Sequence, residues 1–431
     1  MVNIKKIFKG SFLRNILMLA GGTAIAQALA VLAIPIITRI FSPEEYGILT
    51  VYTALLVLFT GSQSLRYELG IPIAEDEKKA INVLGLSFII LLVFSILTFI
   101  IVMLSNEQVF IKFSAQGLYQ YKILIPLGFF LLGLYQLFMM WNIRIKDFKS
   151  IAKTKISRSV GSNILTIILG LLGWGPLGLL LGKVFGESVG IVTLSKPVLR
   201  KDKRRLLKYI NSKEVFESAK KLRKFPTYSL PSAFLSKAGD QIPVFFIAAL
   251  FGAQIVGYYG LAKSIITIPT ALIGSSIGDV FYGEAAAIGK KSPSDLKKLS
   301  IKMFSKLLLI GLLPTIMFVV FSPVIFKTVF GNEWFEAGIY ARILAIWALA
   351  QIIFQPISRV YDIYGKQKEL LIITLVRVIL ICVVFGFAHI LELSSYFAVM
   401  GYAFIMFLIY GVTYLLSLKI IENQIIKEAK K

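Results

Sequence analysis

Residues 80–104 read AINVLGLSFIILLVFSILTFIIVML, twenty-five residues without a formal charge. As a helix rising 1.5 Å per residue, a run of this length crosses the ~30 Å hydrocarbon core of a bilayer. Working outward from it, comparable runs lie at 13–40, 46–66, 120–142, 157–174, 176–196, 228–250, 255–282, 303–322, 335–358, 368–389 and 395–418. The pattern predicts an all-α polytopic membrane protein of about twelve transmembrane helices. Composition agrees: 57% of the 431 residues are hydrophobic, where soluble domains sit near 45–50%. Pro35, Pro126, Pro243, Pro269, Pro314 and Pro356 fall within runs and are expected to kink them.

The net charge of +24 raises nucleic acid as a partner. The placement of the charge excludes it, because the basic residues fall between the apolar runs. With the N-terminus cytoplasmic, the inner segments 1–14, 66–80, 143–158, 196–224, 290–306, 366–368 and 419–431 hold 37 of the 47 Lys and Arg. The outer loops hold only Lys112, Lys122 and Lys327. The positive-inside rule then places both termini in the cytoplasm. Lys5, Lys6 and Lys9 before an apolar run resemble a signal peptide, but the run continues to Ile40, so an uncleaved first helix is expected.

Several chemistries are excluded by count. Cys382 is the only cysteine and His389 the only histidine. No intrachain disulfide, clustered-histidine metal site or histidine triad is therefore available within the chain. The sequence carries no Walker A loop, and no cofactor is expected.

The chain reads as two halves. Residues 199–224 form a basic cytoplasmic stretch between lobes at 1–198 and 225–431, either a helix lying on the membrane surface or a solvated linker. Tyr121-Lys-Ile-Leu124 recurs as Ala341-Arg-Ile-Leu344. At the same offset of 220, Trp141-Asn-Ile143 recurs as Tyr361-Asp-Ile363 and Lys146 as Lys366. Phe41-Ser-Pro-Glu-Glu-Tyr-Gly47 is paralleled by Phe251-Gly-Ala-Gln-Ile-Val-Gly257. Six spans per lobe insert the same way up, which implies a pseudo-twofold axis along the membrane normal and a transporter's central cavity.

Seven basic residues lie inside the spans: Arg39, Lys183, Lys237, Lys263, Arg342, Arg359 and Arg377. Each costs about 2.5–3.5 kcal/mol mid-span unless water, a counter-charge or a ligand offsets it. Helical spacing offers Lys183–Glu187, Lys237–Asp240 and Arg359–Asp362 as ion pairs. Arg39 and Arg359 lie close enough to the interface to snorkel. Lys263, Arg342 and Arg377 have no carboxylate at that spacing, so they either pair across helices or line a cavity for an anion, with Arg suited to phosphate. Acidic groups in or near the spans are Glu68, Glu187, Asp240, Asp279 and Glu284. Asp240 is the first candidate for coupling to a proton or sodium ion, or else a structural partner of Lys237.

The segment Pro35-Ile-Ile-Thr-Arg-Ile-Phe-Ser-Pro-Glu-Glu-Tyr-Gly47, followed by Arg66-Tyr-Glu68, resembles the polysaccharide-biosynthesis, O-antigen type flippases of the multidrug/oligosaccharidyl-lipid/polysaccharide exporter superfamily. Thr38, Arg39, Ser42, Tyr46 and Gly47 fit the pattern at the end of that family's first span. Leu230-Pro-Ser232, Asp240, Gly252, Gly257-Tyr-Tyr259 and Ala262 agree at the start of the second half. The resemblance implies a two-lobed bundle in the bacterial cytoplasmic (inner) membrane. It would move an undecaprenyl-diphosphate-linked oligosaccharide, such as an O-antigen or lipopolysaccharide repeat unit, to the outer leaflet by alternating access. It also implies contact with membrane lipids, a polysaccharide polymerase and chain-length proteins. A cation-coupled multidrug exporter and a membrane polymerase or ligase are the alternatives; the first calls for fewer cavity cations and the second for a large outer loop.

Overall fold

The computed structural model describes residues 10–112, 115–201, 209–289 and 292–429, and these are predominantly helical with no strand among them. The packing divides the chain into two compact units that part between Lys237 and Ala238.

Unit 1 contains α1 (Gly10–Ile40), α2 (Pro43–Leu58), α3 (Glu77–Leu104), the short α4 (Glu107–Lys112), α5 (Leu124–Arg144), α6 (Phe148–Leu171), α7 (Pro176–Lys201) and α8 (Ser212–Lys221). The break between α1 and α2 is written in the Ser42-Pro-Glu-Glu45 motif. The Glu45 carboxylate accepts from the Ser42 N–H at 2.8 Å while the Ser42 hydroxyl accepts from the Glu45 N–H at 3.3 Å. This reciprocal cap, with Pro43 in the first turn, starts α2. Part of the motif behind the family resemblance is thus a helix-start signal. α6 packs on α7 and α1, and α5 on α7 and α3. Trp141, Leu137, Ile81 and Leu91 form one core of this unit.

In unit 2, α9 (Leu230–Ile288) begins within the last residues of unit 1 and breaks at Gly252 (φ 84°, ψ 175°). That conformation is open essentially to glycine alone. The chain continues as α10 (Pro293–Phe330), α11 (Phe335–Phe354), the single turn α12 (Val360–Ile363), α13 (Gln367–Ile390) and α14 (Ser395–Ala429). α11 packs on α10 and α14 over a core that includes Phe281, Leu307, Phe354 and Ile421.

The outward faces explain the composition. α3 exposes Ile96, Ile101 and Leu104, α10 exposes Leu309 and Leu313, and α13 exposes Phe387 and Ile390. Apolar surface on this scale is stable against lipid rather than water, and the chain is a multi-pass membrane protein. Among the described residues, nine segments are long and apolar enough to cross a membrane. The expected count of twelve is not reached by that measure, for identifiable reasons. α2 has only 16 residues. α6 is diluted by Lys149, Lys153, Lys155 and Arg158. The stretch Phe225–Thr270 runs through the Gly252 break as one segment.

The internal repeat appears in the hydrogen bonds. The Asn142 amide donates to the Leu194 carbonyl at 2.9 Å, and the Tyr361 hydroxyl donates to the Thr413 carbonyl at 3.3 Å. Both partners are displaced by 219 residues. The turns that follow repeat as well: Asp147 N–H bonds to Asn142 C=O, and Lys366 N–H to Tyr361 C=O. α6 and α13 have 24 residues each and begin and end 219 apart. The sequence register of 220 at Trp141/Tyr361 is therefore one residue out: Asn142, not Trp141, occupies the position of Tyr361.

Candidate functional site

Within unit 1, α6 turns one polar face toward α1, α5 and α7. Lys155, Arg158, Ser159, Ser162 and Asn163 follow one another at alternating spacings of three residues and one, which keeps them on one side of the helix. Lys155 donates to the Thr23 hydroxyl at 2.7 Å, and the Ser159 hydroxyl to the Ala26 carbonyl at 2.9 Å. The Arg158 guanidinium lies 4.7 Å from the centre of the Tyr135 ring and bonds the Glu187 carboxylate. Together with Gln27 and Lys183, these side chains line a cavity of about 380 Å³.

The charge balance of this cavity is positive. Lys155, Arg158 and Lys183 are opposed by Glu187, whose side chain is only 3% exposed. One Glu187 oxygen bonds Arg158; the other, Oε2, is buried with no hydrogen-bond partner. A positive surplus lining a concave site favours an anion there. Hydroxyl and amide groups on the remaining wall suit a polar, uncharged neighbour to that anion.

Unit 2 builds a different cluster around Asp240. Lys263 Nζ donates to the Asp240 backbone carbonyl at 2.6 Å and lies 5.6 Å from the Tyr259 ring centre. Arg377 Nη1 sits 3.6 Å from Asp240 Oδ1. The guanidinium packs against Gly239, where an added Cβ would stand 2.5 Å from Nη2 and 2.7 Å from Nε. Arg377 is the eleventh residue of α13, as Arg158 is of α6. Both units thus place an arginine at the same helical position and oppose it with a carboxylate from elsewhere.

These contacts redistribute the pairs expected from spacing. Glu187 takes Arg158 from the neighbouring helix rather than Lys183 one turn before it. Asp240 takes Arg377 rather than Lys237. The geometry responsible is packing across helices, which spacing along one helix does not carry. Arg359 and Asp362 do approach, at 3.7 Å, but both are exposed, so the pair contributes little. Arg342 is exposed and donates to the Val320 carbonyl at 3.3 Å. Lys122 makes similar contacts in unit 1, to the Met103 and Ser105 carbonyls at 3.2 Å.

Arg39 is exposed in the last turn of α1, where a cation complements the helix dipole. Lys237 is half-buried and Glu284 exposed. Glu68 is buried and accepts from the Ser64 hydroxyl at 2.5 Å; burial pushes its carboxyl above the usual range. The side chain of Asp279, and residues 202–208 of the basic stretch, lie outside the described residues.

Lys155 and Arg158 were not expected here. The charge count assigns residues 143–158 to a cytoplasmic segment. The signal that distinguishes them is the polar stripe continuing through Ser159, Ser162, Asn163 and Thr166, which marks one helix with a wet face rather than a loop followed by a span.

A family model described as "Polysaccharide biosynthesis protein" matches residues 36–339. In sequence, the chain is 27% identical over 142 residues to the teichuronic acid biosynthesis protein TuaB of Bacillus subtilis (strain 168). That match spans 33% of this chain and 29% of the relative's length. In structure, the chain is similar to the lipid II flippase MurJ in an inward closed conformation (TM-score 0.70, 14% identity, 94% of this chain and 87% of that one). It is also similar to an inward-facing multidrug resistance MATE family transporter of the MOP superfamily (TM-score 0.69, 17% identity, 92% and 95%). At these identities the structural likeness establishes the two-lobed membrane fold.

Proposed function

Because the chain belongs to the polysaccharide biosynthesis protein family, we propose that it is a flippase carrying an undecaprenyl-diphosphate-linked oligosaccharide from the inner to the outer leaflet of the bacterial cytoplasmic membrane. The observation that carries this reading is the unit 1 cavity, where Lys155, Arg158 and Lys183 face a single carboxylate. Arg158 offers planar, bidentate donors and the two lysines offer point charges, a set suited to a diphosphate. Ser162, Asn163 and Gln27 on the same wall suit the hydroxyls of a sugar. Glu187 holds Arg158 in place until the substrate anion competes for it. A cationic drug would meet three positive charges at this wall, which opposes the exporter alternative.

In this reading both termini are cytoplasmic, because the basic segments then all lie inside. Asp240, the coupling candidate by sequence, serves to fix Arg377, which gives unit 2 a second cation at the position of Arg158. Neither Arg377 nor Lys263 is then a mid-span charge facing lipid.

The test is transport in reconstituted vesicles with a labelled lipid-diphosphate oligosaccharide. Loss of one charge-assisted contact, about 1.5–3 kcal/mol, corresponds to a slowing of about tenfold to 100-fold. Arg158→Ala and Lys155→Ala are expected to fall in that range while still inserting. Normal transport by both variants would remove the unit 1 cavity from the mechanism.

A further inference from the structure

Unit 2 holds a second basic cavity, of about 480 Å³, where the N-terminus of α13 meets the last turns of α14. Lys366, Lys419 and Lys427 line it with Glu369, Asn423 and Gln424. Glu369 is already engaged, accepting from Lys366 at 2.5 Å. Glu422, on the same stretch of α14, is drawn to Lys297 of α10 at 2.5 Å. Among the described residues, no carboxylate pairs with Lys419 or Lys427. The cavity therefore keeps a positive surplus, with amide donors beside it and an apolar edge at Leu416, Ile420 and Ile426. Its depth is set by the elements that form it. The apolar spans Gln367–Ile390 and Ser395–Glu428 both end here, which is where lipid headgroups begin.

We infer that this cavity binds the phosphate headgroup of an anionic membrane lipid. The lysines and amides meet the phosphate, and the apolar edge meets the start of the acyl chains. A basic pocket between spanning helices at the end of their apolar spans is the arrangement that recognises such headgroups, and each basic residue there contributes about fivefold in affinity. A free phosphate would use the same donors but would leave the apolar edge without a role. The site is separate from the unit 1 cavity and does not depend on what that cavity carries.

The test uses the full chain, purified and delipidated, with phosphatidylglycerol or phosphatidylcholine added back and bound lipid counted by native mass spectrometry. The wild type is expected to retain phosphatidylglycerol in preference to phosphatidylcholine. Lys419→Ala is expected to weaken that retention about fivefold, and Lys419→Ala with Lys427→Ala about 25-fold. Lys298→Ala, a solvated lysine on α10, is expected to leave it unchanged. Equal retention of both lipids, or full retention by the double variant, would overturn the assignment. So would displacement of phosphatidylglycerol by millimolar inorganic phosphate, which would identify a soluble-phosphate site instead. The readout is binding, so its failure is distinguishable from a failure of the transport reading.

Discussion

Arg158 does two jobs that mutation separates. It neutralises the buried Glu187 and it presents donors to the cavity. Arg158→Ala takes from the buried Glu187 carboxylate its one hydrogen-bonding partner, a defect of up to about 3–5 kcal/mol, the cost when one partner of a buried pair is removed. Thermal unfolding in detergent is expected to show a marked loss for Arg158→Ala and a much smaller one when Glu187→Ala is added. Transport is expected to stay low in both. If the second substitution restores transport with stability, Arg158 only balances Glu187. Gly239 makes a sharper argument, since it contributes no side chain. A Cβ there would meet the Arg377 guanidinium at 2.5 Å, closer than unbonded atoms tolerate. Gly239→Ala is expected to part Arg377 from Asp240 and to reproduce, in both melting temperature and transport, the phenotype of Arg377→Ala. A Gly239→Ala protein indistinguishable from wild type would show that the guanidinium moves aside freely.

At the scale of elements, the sequence was most legible where a helix is uniform and least where it has two faces. The run at 80–104 is apolar all round and appears in α3 as expected. α6 carries cations along one face, so its first turns resembled a loop, and the site they form was hidden with them. Ion pairs across helices, Arg158–Glu187 and Arg377–Asp240, were illegible because nothing in local spacing encodes which helices touch. α8 sits between these extremes: its helix was one of two readings, but not its docking. It is clipped to α3 by Lys78–Glu214 at 2.8 Å and to the turn just before α3 by Lys221–Glu75 at 2.5 Å, and Tyr67 donates to the Ala219 carbonyl at 3.2 Å. The Lys221 and Lys79 ammonium groups hold the Glu75 carboxyl down at about 2. A depressed carboxylate stabilises the paired state above its ordinary value of about 4.5 and ceases to do so as pH falls through its folded value. The clip is expected to persist at pH 4 and open toward pH 2, and to weaken with salt because the pair is exposed. Pepsin cleavage at 209–224 checks this: slow at pH 4, faster near pH 2, and already fast at pH 4 in Glu75→Gln. Equal rates for wild type and variant at pH 4 would remove Glu75 from the clip.

For the whole molecule, fold class and family were written plainly, because apolar runs of membrane length and the motif from Thr38 to Gly47 survive without knowledge of contacts. The repeat was legible to within one residue; the hydrogen bonds of Asn142 and Tyr361 supply the correct register of 219. In the proposed function, transport rests on a positive cavity inside one unit, which fixes the sign and valence of the substrate. This is tested most directly by measuring leaflet transfer in vesicles containing the purified chain, with one glycan attached to lipid through either a diphosphate or a neutral linkage. Transfer of the diphosphate-linked form is expected, with at least tenfold slower transfer of the neutral form, a difference that narrows in Arg158→Ala. Equal transfer of both forms by the wild type, or transport of a cationic drug in place of either, would contradict it.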